Sequence, residues 1–259
     1  MVGFYRVVLI WCIFGAGCAM ATGIWGERPQ LAGFLVIGWL VHELGHWLAL
    51  RAMGFRGELK VRGVLGAAVD LPPGCQGWRE GVAALAGPAA NLVVLLAAKM
   101  GGWELLFAAN FVMAAVNLLP FLPLDGGKAI RGILSGIFSW FNISRLLLLW
   151  GKGLAIAYVG VVYWFGLERW LLLGAIWLYL VACLEERSLP YLLATRLEAC
   201  LGKRWRPKRI VRARAGEPLY RVVERFSPGW QNMVVCGGER LEGDDLVRCW
   251  LKGEGMEGG

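Results

Sequence analysis

Residues 31–50 run for twenty positions with a single formal charge, and that charge, Glu43, lies between the chain's only two histidines, His42 and His46. As a helix, twenty residues span about 30 Å, the thickness of a bilayer's hydrocarbon core. An ionisable side chain at that depth is expensive and by default marks a functional site. The segment VHELGHWLAL spaces the histidines by four, which sets them one turn apart on one helical face. Both imidazoles can then ligate one metal ion such as Zn²⁺, while Glu43 beside them can act as general base on a water molecule. Random placement would give this pattern with roughly one chance in 2,000, so a catalytic pair outweighs two ordinary core histidines. A water-soluble metalloenzyme would carry the motif on a helix with a polar face, and no such face exists here.

Composition agrees: 58% of residues are hydrophobic and 18% charged, and the mean hydropathy is +0.55, outside the soluble globular norm. Windows poor in charge cover 7–26, 31–50, 81–98, 105–124, 146–167 and 170–184. The expectation is a mainly α membrane protein, a six-transmembrane-helix bundle. The first window could pass for a cleaved signal peptide, but it is long for one and the next span follows closely, so it reads as a retained helix. Lys152, inside the fifth window, is expected to snorkel to the interface.

Loop charges set an orientation. Arg51, Arg56, Lys60, Arg62 and Arg79 separate spans two and three, and Lys128, Arg131 and Arg145 separate spans four and five. The other loops offer only Arg28, Lys99 and Arg169. The positive-inside rule then puts both termini in the cytoplasm of a multi-pass protein, with spans two and four running from outside to inside. The net charge of +8 belongs mostly to these loops and the tail, so no direct nucleic-acid partner is implied.

A third metal ligand should arrive at the same depth. His42 and His46 lie about 12 and 6 Å from the inner end of their span. Of four aspartates, only Asp125 closes a span, in NLLPFLPLDGG at 117–127. Pro120 and Pro123 should break the helix there, and irregular backbone at membrane depth is tolerated around a cavity or inside protein. Alone, Asp125 would be a helix-terminating Asp-Gly turn; beside the histidine pair it reads as the third ligand.

These two segments, with Gly87-Pro88-Ala89-Ala90-Asn91 in span three, make residues 31–130 resemble the site-2 protease family of intramembrane zinc metalloproteases. The resemblance implies that His42, His46 and Asp125 bind one zinc ion and that Glu43 activates water for peptide hydrolysis. It also implies that Asn117 hydrogen-bonds substrate backbone, although a helix–helix hydrogen bond is an equal alternative. Residues 57–72, loosely alternating and glycine-rich, read either as a hairpin at the membrane face or as a plain loop. In the family such an edge takes substrate as an added strand.

The expected domains are a protease domain at 1–190, a basic linker at 191–214 and a cytoplasmic α/β unit at 215–259. Eight basic residues and one acidic residue fall between 196 and 214, suited to anionic lipid headgroups or an acidic substrate, or to an ordinary solvated linker. The tail resembles one cystathionine-β-synthase (CBS) motif, although 235–243 reads as too short for its usual extra strand. A lone copy implies pairing between protomers, and the family uses such domains to sense ATP or another nucleotide. The seven cysteines form no C-x-x-C pair and read as free thiols.

A protease core followed by a CBS-like tail is the layout of a subgroup that includes the sporulation protease for pro-sigma-K. That likeness implies a membrane-associated sigma-factor precursor as substrate, inhibitory membrane-protein partners, and residence in a bacterial cell membrane or the outer forespore membrane. Another membrane-anchored regulator, such as an anti-sigma factor, is the alternative substrate. A zinc-binding membrane protein without proteolysis is the alternative class, against which the presence of Glu43 weighs.

Overall fold

A computed structural model describes residues 30–55, 58–62, 66–70, 72, 74–166, 172–202 and 207–252. The window at 7–26 lies outside the described residues. The elements run α1 (Gln30–Ala52), β1 (Glu58–Arg62), β2 (Gly66–Asp70), α2 (Trp78–Met100), α3 (Glu104–Asn117), α4 (Asp125–Leu134), α5 (Trp140–Trp164) and α6 (Leu172–Glu198). The tail adds β3 (Lys208–Ala213), α7 (Leu219–Glu224), β4 (Gln231–Cys236), β5 (Glu239–Glu242) and α8 (Gly243–Lys252).

Three described stretches, Gly33–Ala52, Trp78–Met100 and Trp140–Trp164, are long and apolar enough to cross a membrane. Their outer faces are apolar: Leu40, Leu44 and Leu48 on α1, Val93 and Leu96 on α2, and Leu146, Leu149 and Trp150 on α5 are all exposed. Apolar surface on that scale belongs against lipid. The molecule is therefore a helical membrane protein.

Two expected spans differ. The fourth is shorter: α3 is a 14-residue helix ending at Asn117, because Pro120 and Pro123 cannot continue it. Asp125 accordingly opens the separate helix α4 rather than closing a membrane span. The sixth is longer, a 27-residue helix that carries its charges onward to Glu198. Within the added length Glu186 pairs with Lys152 of α5. Residues 191–198 thus continue α6, and 208–213 form the first strand of the tail sheet.

Residues 58–70 form an antiparallel hairpin, with Glu58 opposite Asp70 and Arg62 opposite Gly66. The tail sheet has the order β3-β4-β5. Strands β3 and β4 are parallel and need a crossover, which contains α7, whereas β4 and β5 are antiparallel. Gly237 and Gly238 join β4 to β5, and both have positive φ, as a two-residue hairpin turn requires. The strand thought too short to exist is therefore present, with four exposed residues and a glycine turn.

The tail is docked on the helices. One continuous core joins Trp140, Leu148, Leu189, Leu193 and Leu197 of α5 and α6 to Val211, Val223, Phe226, Val234 and Leu246 of the tail. Arg209 donates to the carbonyls of Ile137 and Phe138 at 3.2 and 3.1 Å. The Ser139 hydroxyl donates to the Glu224 carbonyl at 3.1 Å.

Helices α1 and α2 meet closely at Gly45. A Cβ there would lie 2.5 Å from the Ala86 carbonyl oxygen and 2.9 Å from the Ala90 Cβ. Glycine is required by that approach, as at small-residue interfaces between membrane helices.

Candidate metal centre

The close contact brings the histidine face of α1 against α2, and the break after α3 swings Asp125 into the same space. His42 Nε2 and His46 Nε2 lie 2.8 and 3.1 Å from Asp125 Oδ2, and 3.1 Å from each other. All three residues are buried. Among the described residues, theirs is the one group of three potential ligands close enough to share an ion.

The outer atoms of each ligand are occupied. His42 Nδ1 lies 2.7 Å from Asn91 Oδ1, and His46 Nδ1 lies 2.7 Å from the Ala83 carbonyl. The Asn91 orientation is fixed, because its amide nitrogen donates to the Gly38 carbonyl at 2.8 Å and to Asn110 Oδ1 at 2.9 Å. Asn110 in turn donates to the Leu106 carbonyl. Facing acceptors on the Nδ1 side place the ring protons there and leave the Nε2 lone pairs pointing inward. Lys128 donates to Asp125 Oδ1 at 2.7 Å, which leaves Oδ2 for the centre.

Two imidazole nitrogens and a carboxylate oxygen within about 3 Å repel one another unless a proton or a metal cation lies between them. Zinc–ligand bonds of about 2.0–2.1 Å in a tetrahedron separate neighbouring ligand atoms by about 3.3 Å, close to the spacing found. The donor set and its outer partners fit zinc. Space is kept by Gly87, where a Cβ would overlap His46 Nε2 and Cε1 and come within 2.8 Å of His42 Nε2.

The structure brings together His42, His46 and Asp125. Glu43 follows His42 on the same turn of α1 and is half-buried. Asn117 stands at the end of α3 and donates to the Met113 carbonyl of its own helix at 3.0 Å. Sequence reasoning missed the roles of Asn91, Asn110 and Lys128. A polar amide within an otherwise apolar span was the one available signal for the asparagines.

No protein-family model matches the chain. It is similar to a protein of Synechocystis named as a zinc metalloprotease, 29% identical over 143 residues, covering 48% of this chain and 38% of that relative. It is likewise similar to a zinc metalloprotease of Methanocaldococcus jannaschii, 29% identical over 138 residues, with 47% of this chain and 39% of the relative covered. The chain thus spans about two fifths of the length of these curated relatives. A site-2 protease structure from Methanocaldococcus jannaschii superposes with a TM-score of 0.54 at 21% identity, over 67% of this chain and 88% of that one. The fold is that of a site-2 protease.

Proposed function

We propose that this protein is an intramembrane zinc metalloprotease in which His42, His46 and Asp125 hold the metal. The convergence of their three inward atoms, each backed by an outer partner, is the observation that carries the reading. Bound zinc would polarise the scissile carbonyl and make water easier to deprotonate. Glu43, one residue from His42, takes a proton from the attacking water and delivers it to the leaving amine. The C–N bond breaks, and the products are a carboxylate and an amine. Because peptide hydrolysis needs an extended backbone, substrate adds to the β1–β2 hairpin as a strand, and Asn117 releases its bond to Met113 to hold substrate backbone.

The finer reading places both termini in the cytoplasm, completes a six-helix bundle with the window at 7–26, and divides the chain at about 190 and 214. The strand–helix–strand–strand–helix order of the tail supports a CBS-like unit that pairs between protomers. An open surface depression lined by Arg212, Ala213, Arg214, Glu217 and Arg225, in which Arg225 pairs with Glu217, keeps a net positive charge toward a phosphate-bearing nucleotide. The substrate is a membrane-associated sigma-factor precursor like pro-sigma-K, under the control of inhibitory membrane proteins and in contact with anionic lipid. An anti-sigma factor is the alternative substrate.

Glu43→Gln tests the hydrolytic role. It keeps the side chain's size and removes the proton acceptor. Zinc content by elemental analysis should stay near one per chain, and cleavage of a membrane-tethered substrate should fall by about 10²–10⁴-fold. Unchanged cleavage would overturn the mechanism.

A further inference from the structure

A second buried cluster lies between the metal helices and the tail. Glu80 of α2 is fully buried and accepts from both Arg131 of α4 and Arg196 of α6. Arg131 places Nη2 and Nε on Glu80 Oε1 at 2.6 and 3.1 Å. Arg196 places Nη1 on Oε2 at 3.0 Å and Nη2 on Oε1 at 3.2 Å. Both guanidinium carbons stand over the Trp140 ring, 4.7 and 4.9 Å from its centre. Two cations and one anion are thus buried together, and Arg131 Nη1 has no acceptor among the described residues.

Such a cluster is a poor stabiliser. Taking three charges out of water costs as much as their attraction returns, and apolar side chains of the same volume would serve stability as well. What the charged forks supply is direction, because a guanidinium meets a carboxylate in few geometries. The elements being directed matter here. Glu80 lies one turn before Ala83, whose carbonyl holds His46, and Arg131 lies six residues, about 9 Å, along the helix that Asp125 opens. Gly132 brings α4 within backbone contact of α2, where a Cβ would lie 2.6 Å from the Gly81 nitrogen. Close to Arg196, its carbonyl accepts from Gln76, and α6 continues into the core shared with the tail.

We propose that Arg131 is a positioning residue for the metal centre: locked to Glu80 and braced by Arg196, it sets α4 against α2 so that Asp125 meets His42 and His46. This rests on the zinc reading above. The same link makes the end of α6, and the tail packed on it, part of the frame that holds a metal ligand.

The test is a cycle of zinc affinities in the full-length, detergent-purified protein, measured by competition with a chromophoric chelator. Arg131→Met should weaken zinc binding by about tenfold, the lower end of what outer partners of a metal site contribute. In an Asp125→Ala background the same change should have almost no further effect, because the ligand it positions is gone. A general loss of structure would instead weaken residual binding in both backgrounds. Arg131→Lys keeps the buried charge but loses the fork; it serves if the Met variant does not fold, and should show a smaller weakening with the same dependence on Asp125. The cobalt-substituted protein should lose absorption intensity in step. Equal zinc affinity for wild type and both Arg131 variants, or equal effects with and without Asp125, would overturn the proposal. A wild type that binds no zinc would overturn the metal reading itself.

Discussion

Helix α4 touches two buried polar clusters, and they are built on opposite plans. At its N-terminus Asp125 faces His42 and His46, so three electron-pair donors look at one another across 2.8–3.1 Å. Two turns later Arg131 faces Glu80 beside Arg196, so hydrogen donors converge on a single carboxylate. In the second group each oxygen of Glu80 has its cation, and the excess lies with the donors, since Arg131 Nη1 has no acceptor among the described residues. The first backs each ligand with an outer partner and turns its inward atoms toward one another. Burial alone therefore does not distinguish a binding site from a structural ion pair; the sign of what converges does.

The contrast breaks most directly at Asp125. Asp125→Ala leaves two inward nitrogens, too few for a closed tetrahedral site, and zinc should fall from about one per chain to a small fraction of that by elemental analysis. Full occupancy in the variant would mean that the inward-facing atoms are not the ligands. A smaller effect is expected at Asn91, which acts on the ring protons rather than on the metal. Asn91→Leu removes the acceptor for His42 Nδ1 and should weaken zinc affinity by about 10–100-fold in chelator competition. Unaltered affinity would show that His42 keeps its tautomer and orientation without help. The smallest effect sharpens the other side. Arg209 is also an arginine at a junction, but it donates to backbone carbonyls at a partly exposed boundary. Arg209→Ala should loosen tail docking by about 1–2 kcal/mol, seen as faster hydrogen exchange in β3. Zinc affinity should stay within about twofold, because distant sites without shared partners act independently.

How much of this was visible in the chain depends on separation along it. His42, Glu43 and His46 fall within one helical turn, so periodicity alone puts the histidines together. Asp125 was legible because aspartates are scarce and one follows two prolines, although its place at the start of a new helix was not. Asn91 was marked only as an amide in an apolar run, which says nothing local about which histidine it will meet, and the Ala83 carbonyl carried no signal at all. Arg131 and Arg196 lie 51 and 116 residues after Glu80, and the sign count used to orient loops treated Arg131 as a surface charge. The sixth span appeared to stop at 184 because Glu185, Glu186 and Arg187 follow. The helix continues because Leu189, Leu193 and Leu197 recur every four residues and bury their stripe against the tail. Strand β5 escaped because its four residues include three charges and face solvent, so no alternation marked it.

The contact at Gly45 has a consequence for traffic. Where the two backbones meet there is no room for a methyl group, whereas an extended peptide needs about 4.8 Å beside its neighbour. Helices α1 and α2 are thus closed to a passing chain at the level of Gly45, one residue before His46. Neither a lipid tail nor a polypeptide can slip between the two backbones at that level.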